Sequence, residues 1–358
     1  MKKIIVLVTK TLLLVFLTVS VSGCGSKGNA TDNSSEDAPK SEIKIGFSMG
    51  TLQEERWERD RDIFVSTAKE LGADVIVQNA DNDSQEQVNQ VKYLLDQGID
   101  ILVIIPQDAD KSASLVQMAK KAGKKVISYD RLVKNAGVDM YISFDNVKVG
   151  ELMARYVVDR DPHGNYVIIN GSPTDYNCTM VSQGYNKVLQ PYITGGKIKI
   201  IKEAWAQDWT YEEALKCVRQ VLDQGSSIDG IIAGNDNLAM EAIKGLSERS
   251  LAGRVRVVGQ DADLGGCQRV IEGTQFMTVY KPIDRIAKAA AEAAVKMASG
   301  EQVKANSTIY DGKYDVPYLV LEPTAVTKEN ILDTVIHDGF HKIEEVFANV
   351  PKSLWPQK

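Results

Sequence analysis

The chain has 358 residues, 44% of them hydrophobic and 25% charged, with a net charge of −6. That length exceeds what one hydrophobic core serves well, so two bodies with separate cores are expected. The mild negative charge is spread over the whole chain, which argues against a polyanion-binding surface and against nucleic acid as a partner.

The first 24 residues stand apart. Lys2 and Lys3 precede an apolar run over 4–21 that is broken by Lys10, and the run closes on Val21, Ser22, Gly23 and Cys24. A positive start, a short apolar stretch and small residues at its end describe an export signal. The lysine inside an already short run argues against a membrane-spanning anchor. The last four residues resemble a bacterial lipobox, which implies that Cys24 is lipidated and that the mature chain works outside the cytoplasm at a membrane face. Residues 25–42 are rich in Gly, Ser, Asn, Asp and Ala without apolar periodicity. They read as a flexible tether.

From residue 43 the chain alternates β-branched runs with amphipathic stretches. Strands are expected over 43–49, 75–78, 101–106, 126–129 and 141–144, with helices over 59–71, 88–95 and 115–122 between them. Gly72, Gly98 and Gly123 each follow a helix, where a left-handed C-cap favours glycine. The pattern then restarts. A helix opens at 150–156, strands follow over 167–170, 198–201, 231–233 and 255–258, and helices fall near Asn186, Ala214, Glu241 and Arg269. Buried strands separated by helices mean parallel sheets covered on both faces. After an extended stretch at 276–280 come Pro282, an Ala-rich helix over 283–298 and a second extended segment over 310–321. The fold class is therefore α/β, with two Rossmann-like lobes.

Besides Cys24 there remain Cys178, Cys217 and Cys267, an odd number at wide spacing, which reads as small buried thiols with one bridged pair left open. His163, His337 and His341 do not stand at metal-ligand spacing with other donors, so neither a metal nor a cofactor is expected.

Ligands of open α/β sheets bind beyond the carboxyl ends of the strands. Those positions hold Arg56 and Trp57, Asp130 and Arg131, Asp175 and Asn177, then Asn235, Asp261 and Lys281, with Trp209 in the loop before a later helix. Carboxylates accept protons from vicinal hydroxyls while Arg, Lys and Asn groups donate to the oxygens. Indole rings cover apolar sugar faces at about 1–3 kcal/mol each, by analogy with base stacking. The set suits a neutral sugar. Taken singly, each residue also suits a cap, turn or surface pair, and Asp236 or Asn237 is the expected cap of the helix that follows Asn235.

At these residues a resemblance becomes specific. Glu55, Arg56 and Trp57 before Asp60, Arg61 and Asp62, then Tyr129, Asp130 and Arg131, residues 141–146, Gly171, Ser172 and Pro173, residues 259–263 and residues 277–282 are similar to the D-xylose-binding proteins of bacterial ABC importers. The match runs in order from about residue 43 to 341. It implies a type I periplasmic-binding-protein fold, with two lobes joined by three chain crossings. The first lobe would take residues 43–146 and 283–314, the second 147–282 and 315–343. The resemblance also implies that Arg56, Asp130, Arg131, Asp175, Asn177, Asn235, Asp261 and Lys281 hydrogen-bond a pentose, D-xylose, while Trp57 and Trp209 sandwich its ring. Tyr176 and Cys178 depart from the expected pattern beside Asp175 and Asn177. The tail over 344–358 is longer than expected, and Phe347, Val350, Leu354 and Trp355 suit either a packing strap or a partner contact.

Carboxylates among Arg56, Arg131 and Lys281 should stay ionised, which argues against a glycosidase acid and for a protein that catalyses nothing. A DNA-binding regulator would need a helix-turn-helix where the signal and tether stand. Two partners remain open for a sugar-loaded form, the permease of an ABC importer and a membrane sensor histidine kinase.

Overall fold

The structure, a computed structural model, describes residues 43–356. The expected export signal, Cys24 and the expected tether lie outside the described residues. The body opens with β1 (Ile43–Met49), α1 (Arg56–Glu70), β2 (Ala73–Asn79), α2 (Ser84–Asp96), β3 (Ile101–Ile105), α3 (Ala113–Lys121), β4 (Lys125–Tyr129) and β5 (Met140–Phe144). It continues through α4 (Asn146–Val158), β6 (Gly164–Asn170), α5 (Tyr176–Thr194), β7 (Ile198–Trp205), α6 (Glu212–Asp223), β8 (Gly230–Ala233), α7 (Asp236–Ser247), β9 (Arg256–Val258) and α8 (Leu264–Glu272). Then follow β10 (Thr278–Tyr280), α9 (Ile283–Ala298), β11 (Ser307–Tyr310), β12 (Asp315–Leu321), β13 (Thr324–Val326) and α10 (Ile343–Val346).

The first sheet has the order β11-β12-β5-β4-β3-β1-β2, parallel throughout except for the β11–β12 hairpin. Its central strands are buried on both faces. On one side Phe47 of β1, Ile101, Val103 and Ile105 of β3 and Tyr129 of β4 pack with Phe64 of α1 and the alanine face of α9. On the other, Leu102 and Ile104 meet Val91 and Leu94 of α2 and Leu115 of α3. The second sheet, β7-β6-β8-β9, is parallel, and a bridge between Val258 and Met277 leads from it to the antiparallel pair β10–β13. These pairings establish the two-lobed α/β architecture.

The chain passes between lobes three times: from β5 into α4, from β10 into α9, and from β12 into β13. Helix α9 packs on α1 and the first sheet, whereas α4 lies against α5 in the second lobe. The α4–α5 contact is close because two glycines face it reciprocally. A Cβ on Gly150 would collide with the Val181 carbonyl oxygen, and one on Gly184 would collide with that of Val147.

One expected boundary is corrected. Residues 315–321 belong to the first lobe and not the second, because β12 pairs in parallel with β5 from Tyr318 opposite Tyr141 to Leu321 opposite Phe144. The Tyr141 and Tyr318 rings stack with centroids 4.6 Å apart, and the Tyr318 hydroxyl donates to the Phe144 carbonyl at 2.6 Å. The return to the second lobe comes at β13. The segment expected as one extended stretch over 310–321 is instead part of a hairpin, with β11 turning back on β12.

Gly72, Gly98 and Gly123 take φ of 79°, 72° and 73°, the left-handed conformation expected after a helix. Helix α1 begins at Arg56, ahead of the start at 59 that its apolar periodicity suggests, which puts Arg56 and Trp57 in its first turn. The tail is a packing strap: Val346 and Phe347 are buried with Cys267 and Ile271 of α8 and Tyr280 of β10, and Val350 and Trp355 pack beside them. Cys178, Cys217 and Cys267 are free and buried, so the bridged pair left open is not formed.

Candidate functional site

The loops at the carboxyl ends of both sheets meet between the lobes. Arg56, Trp57, Asp130, Arg131, Asp175, Asn177, Trp209, Asn235, Asp261 and Lys281 all line one enclosed cavity there, together with Glu54, Cys178 and Gln260. About 360 Å³ of space lies between these atoms, of which about 30 Å³ is open to the centre of a water molecule. All ten expected residues are thus brought together, from segments spread along the chain between Arg56 and Lys281. A larger groove, with about 990 Å³ of space, runs beside α1 past Asp263, Phe340 and His341, but of the ten only Arg56 reaches it.

In the first lobe the groups are chained to one another. Arg56 reaches Asp60 at 3.1 Å and Asp130 at 2.8 Å, and its other guanidinium nitrogen stands 3.9 Å from Asp261 of the second lobe. Asp60 is fully buried in α1 and also accepts from the Tyr129 hydroxyl. Asp130 adopts φ 57°, a conformation uncommon for a residue with a side chain. Its carbonyl explains how: it accepts from Tyr141 at 2.8 Å, Ser143 at 2.6 Å and Asn177 at 3.2 Å. Arg131 pairs with Asp175 across the lobes at 2.7 Å.

The second lobe holds its groups mainly through the backbone. Asp175 caps α5 by accepting from the Asn177 amide, and Asn235 caps α7 by accepting from Leu238 at 2.8 Å. The cap of α7 is therefore Asn235 and neither Asp236 nor Asn237. Asp236 instead lies fully buried, accepting from Gln275 and Thr278. With the Asn235 oxygen committed to the cap, its amide nitrogen is the group left to serve the cavity. Asp261 and Trp209 take φ of 96° and 57°, and Lys281 pairs with Asp261 at 2.8 Å. Backbone of this kind persists where the surroundings over-determine it, commonly at binding sites. The Trp209 indole lies so close against Gly171 that a Cβ there would overlap the ring.

Electrostatics separates the carboxyls. Burial works to raise Asp130, but Arg56, Lys281 and Arg131 outweigh it and hold the group below its ordinary value. Asp175 shifts the other way: burial dominates, and its value rises despite Arg131. Burial likewise pushes the Cys178 thiol well up, so this departure from the expected pattern adds an unreactive wall. Guanidinium carbons of Arg56 and Arg131 stand 4.4 and 5.1 Å from the Trp57 ring centroid.

Glu54 and Gln260 line the cavity without having been singled out from sequence. Glu54 is the first of two adjacent glutamates, and Gln260 directly precedes Asp261. Proximity to Arg56 and Asp261 was the signal available, and it does not tell which neighbour turns inward. Among the described residues no group of His, Cys, Asp and Glu stands ready to hold a metal, and no helix is long and apolar enough to cross a membrane.

A periplasmic binding protein domain matches residues 45–302. The chain is 47% identical over 306 residues to a D-xylose-binding periplasmic protein of Escherichia coli (strain K12), covering 85% of this chain and 93% of that one. It is 44% identical over 314 residues to a D-xylose-binding periplasmic protein of Haemophilus influenzae, covering 87% and 95%. Among solved structures, an ABC transporter solute-binding protein from Clostridium phytofermentans with bound β-D-glucose superposes with a TM-score of 0.78 at 26% identity, covering 85% of this chain and 99% of that one.

Proposed function

This chain belongs to the periplasmic binding protein family, and from that premise we propose that it binds D-xylose between its lobes and delivers it to an ABC importer. The observation that carries this reading is the single enclosed cavity lined by hydrogen-bonding groups and two tryptophans from both lobes. Relatives at 47% and 44% identity bear the D-xylose-binding name.

The division of labour follows from the chemistry of a neutral sugar. Asp130 and Asp261 accept hydroxyl protons, while Arg56, Arg131, Lys281 and the amide nitrogens of Asn177 and Asn235 donate to hydroxyl oxygens. Trp209 covers one apolar face of the ring. On the other side the sugar replaces a guanidinium contact on Trp57. Asp130, held ionised by its cations, has no proton to lend to a glycosidic oxygen, so binding without catalysis is the consistent outcome.

Sugar enters when the lobes are apart and contacts one of them. The groups of the other lobe then complete the shell, and their added contacts favour the closed form. The partner reads that closed form. Lipidation at Cys24 and the tether over 25–42 keep the protein at the membrane face where the importer stands.

Calorimetric titration with D-xylose, D-ribose, L-arabinose, D-glucose and D-galactose tests the reading. D-xylose is expected to bind most tightly. Heats indistinguishable from dilution for all five sugars contradict it.

A further inference from the structure

The loop from β1 to α1 carries Glu54, whose side chain turns inward and is more than nine-tenths buried. Its backbone carbonyl accepts from the Trp57 amide at 3.1 Å, at the first turn of α1, and its carboxylate meets the N–H edge of the indole. One carboxylate oxygen, Oε2, accepts from the Trp57 indole nitrogen at 2.5 Å. The other, Oε1, is buried and has no hydrogen-bond partner among the described residues. Arg131 Nη2 stands 4.0 Å from it, an ion-pair contact beyond hydrogen-bond reach, while the Nε of the same guanidinium bonds Asp175 at 2.7 Å. A buried acceptor without a donor costs free energy that a ligand proton recovers.

We propose that Glu54 is a ligand-contacting and specificity-determining residue, whose Oε1 accepts a hydroxyl proton of the bound sugar while Oε2 fixes the plane of Trp57. The inference rests on the sugar-binding reading above and extends it. Glu54 brings the cavity to four carboxylates, with Asp130, Asp175 and Asp261, against the three cations Arg56, Arg131 and Lys281. That balance admits a neutral polyol, which brings donors, and rejects the corresponding sugar acid, which brings a further carboxylate. Glu54 therefore selects aldoses over aldonates.

The test is calorimetry of the wild type, Glu54→Gln and Glu54→Leu with D-xylose and with D-xylonate, each variant first checked for an unchanged unfolding midpoint. Glutamine keeps the length and an oxygen for the Trp57 indole, but turns an amide donor to the cavity. Glu54→Gln is expected to weaken D-xylose by about tenfold or more, and Glu54→Leu by at least as much. The ratio of xylonate to xylose affinity should rise in Glu54→Gln, a change that a packing defect would not produce. Glu54→Gln binding D-xylose within about twofold of wild type overturns the ligand contact, and a loss confined to Glu54→Leu reduces Glu54 to a support for Trp57. A wild type that binds no D-xylose defeats the sugar-binding reading and this inference together, whereas wild-type binding that Glu54→Gln leaves intact defeats this inference alone.

Discussion

The two lobes hold their halves of the site by different means. In the first lobe Arg56, Asp60, Tyr129 and Asp130 bond to one another, so each side chain is oriented by the next. In the second lobe Asp175 and Asn235 are helix caps, and Trp209 and Asp261, like Asp130 of the first lobe, sit on left-handed backbone. A side-chain net is cooperative and fails as a unit; backbone anchoring lets each group be lost separately.

The comparison breaks hardest at Arg56. Replacing it with Met leaves Asp60 buried without its cation and removes the foremost of the three that hold Asp130, at about 3–5 kcal/mol of stability. Urea unfolding should show that loss even without sugar, and an unchanged midpoint would refute the cooperative net. In the second lobe, Asp261→Ala should cost about 1–3 kcal/mol of D-xylose affinity, read by calorimetry, with a smaller effect on unfolding than Arg56→Met. Gly171→Ala drives a methyl group into the Trp209 indole and should weaken sugar binding by a similar amount, about 1–3 kcal/mol, without touching any charge. Asn235→Ala removes a helix cap and should lower stability by about 1 kcal/mol, measured by the same urea titration.

The smallest effect sharpens the picture through pH. Asp130 has its folded pKa below the ordinary value of about 3.9. Its stabilising contribution is therefore present at neutral pH and is lost as pH falls from the ordinary value through the lowered one. Urea midpoints should drop as the pH falls below about 4, and the drop should be shallower in Asp130→Asn. Asp175 has the opposite sign, because its raised value makes folding less favourable as pH climbs from the ordinary value through the raised one.

What was legible in the sequence follows the same division. Strands such as Ile101–Ile105 declare themselves by unbroken aliphatic runs, and the residues just past such runs are where an open sheet presents its ligands. That rule finds Arg56, Asp130, Asp175 and Asp261 without coordinates. It does not find where β12 goes, because Asp315–Leu321 joins the first sheet through pairing with Tyr141 to Phe144, a long-range choice with no local mark. Nor does it separate Glu54 from Glu55, or tell which of Asn235, Asp236 and Asn237 caps α7. In each case neighbours of like chemistry differ only in which way one backbone turn points them.

The most direct test of the central claim is a crystal structure of the chain grown with D-xylose. The account predicts a single pyranose enclosed between the lobes, with Trp57 and Trp209 on either side of it and both Asp130 and Asp261 within hydrogen-bond distance. Sugar bound instead in the groove beside Phe340 and His341, or touching one lobe only, would contradict it.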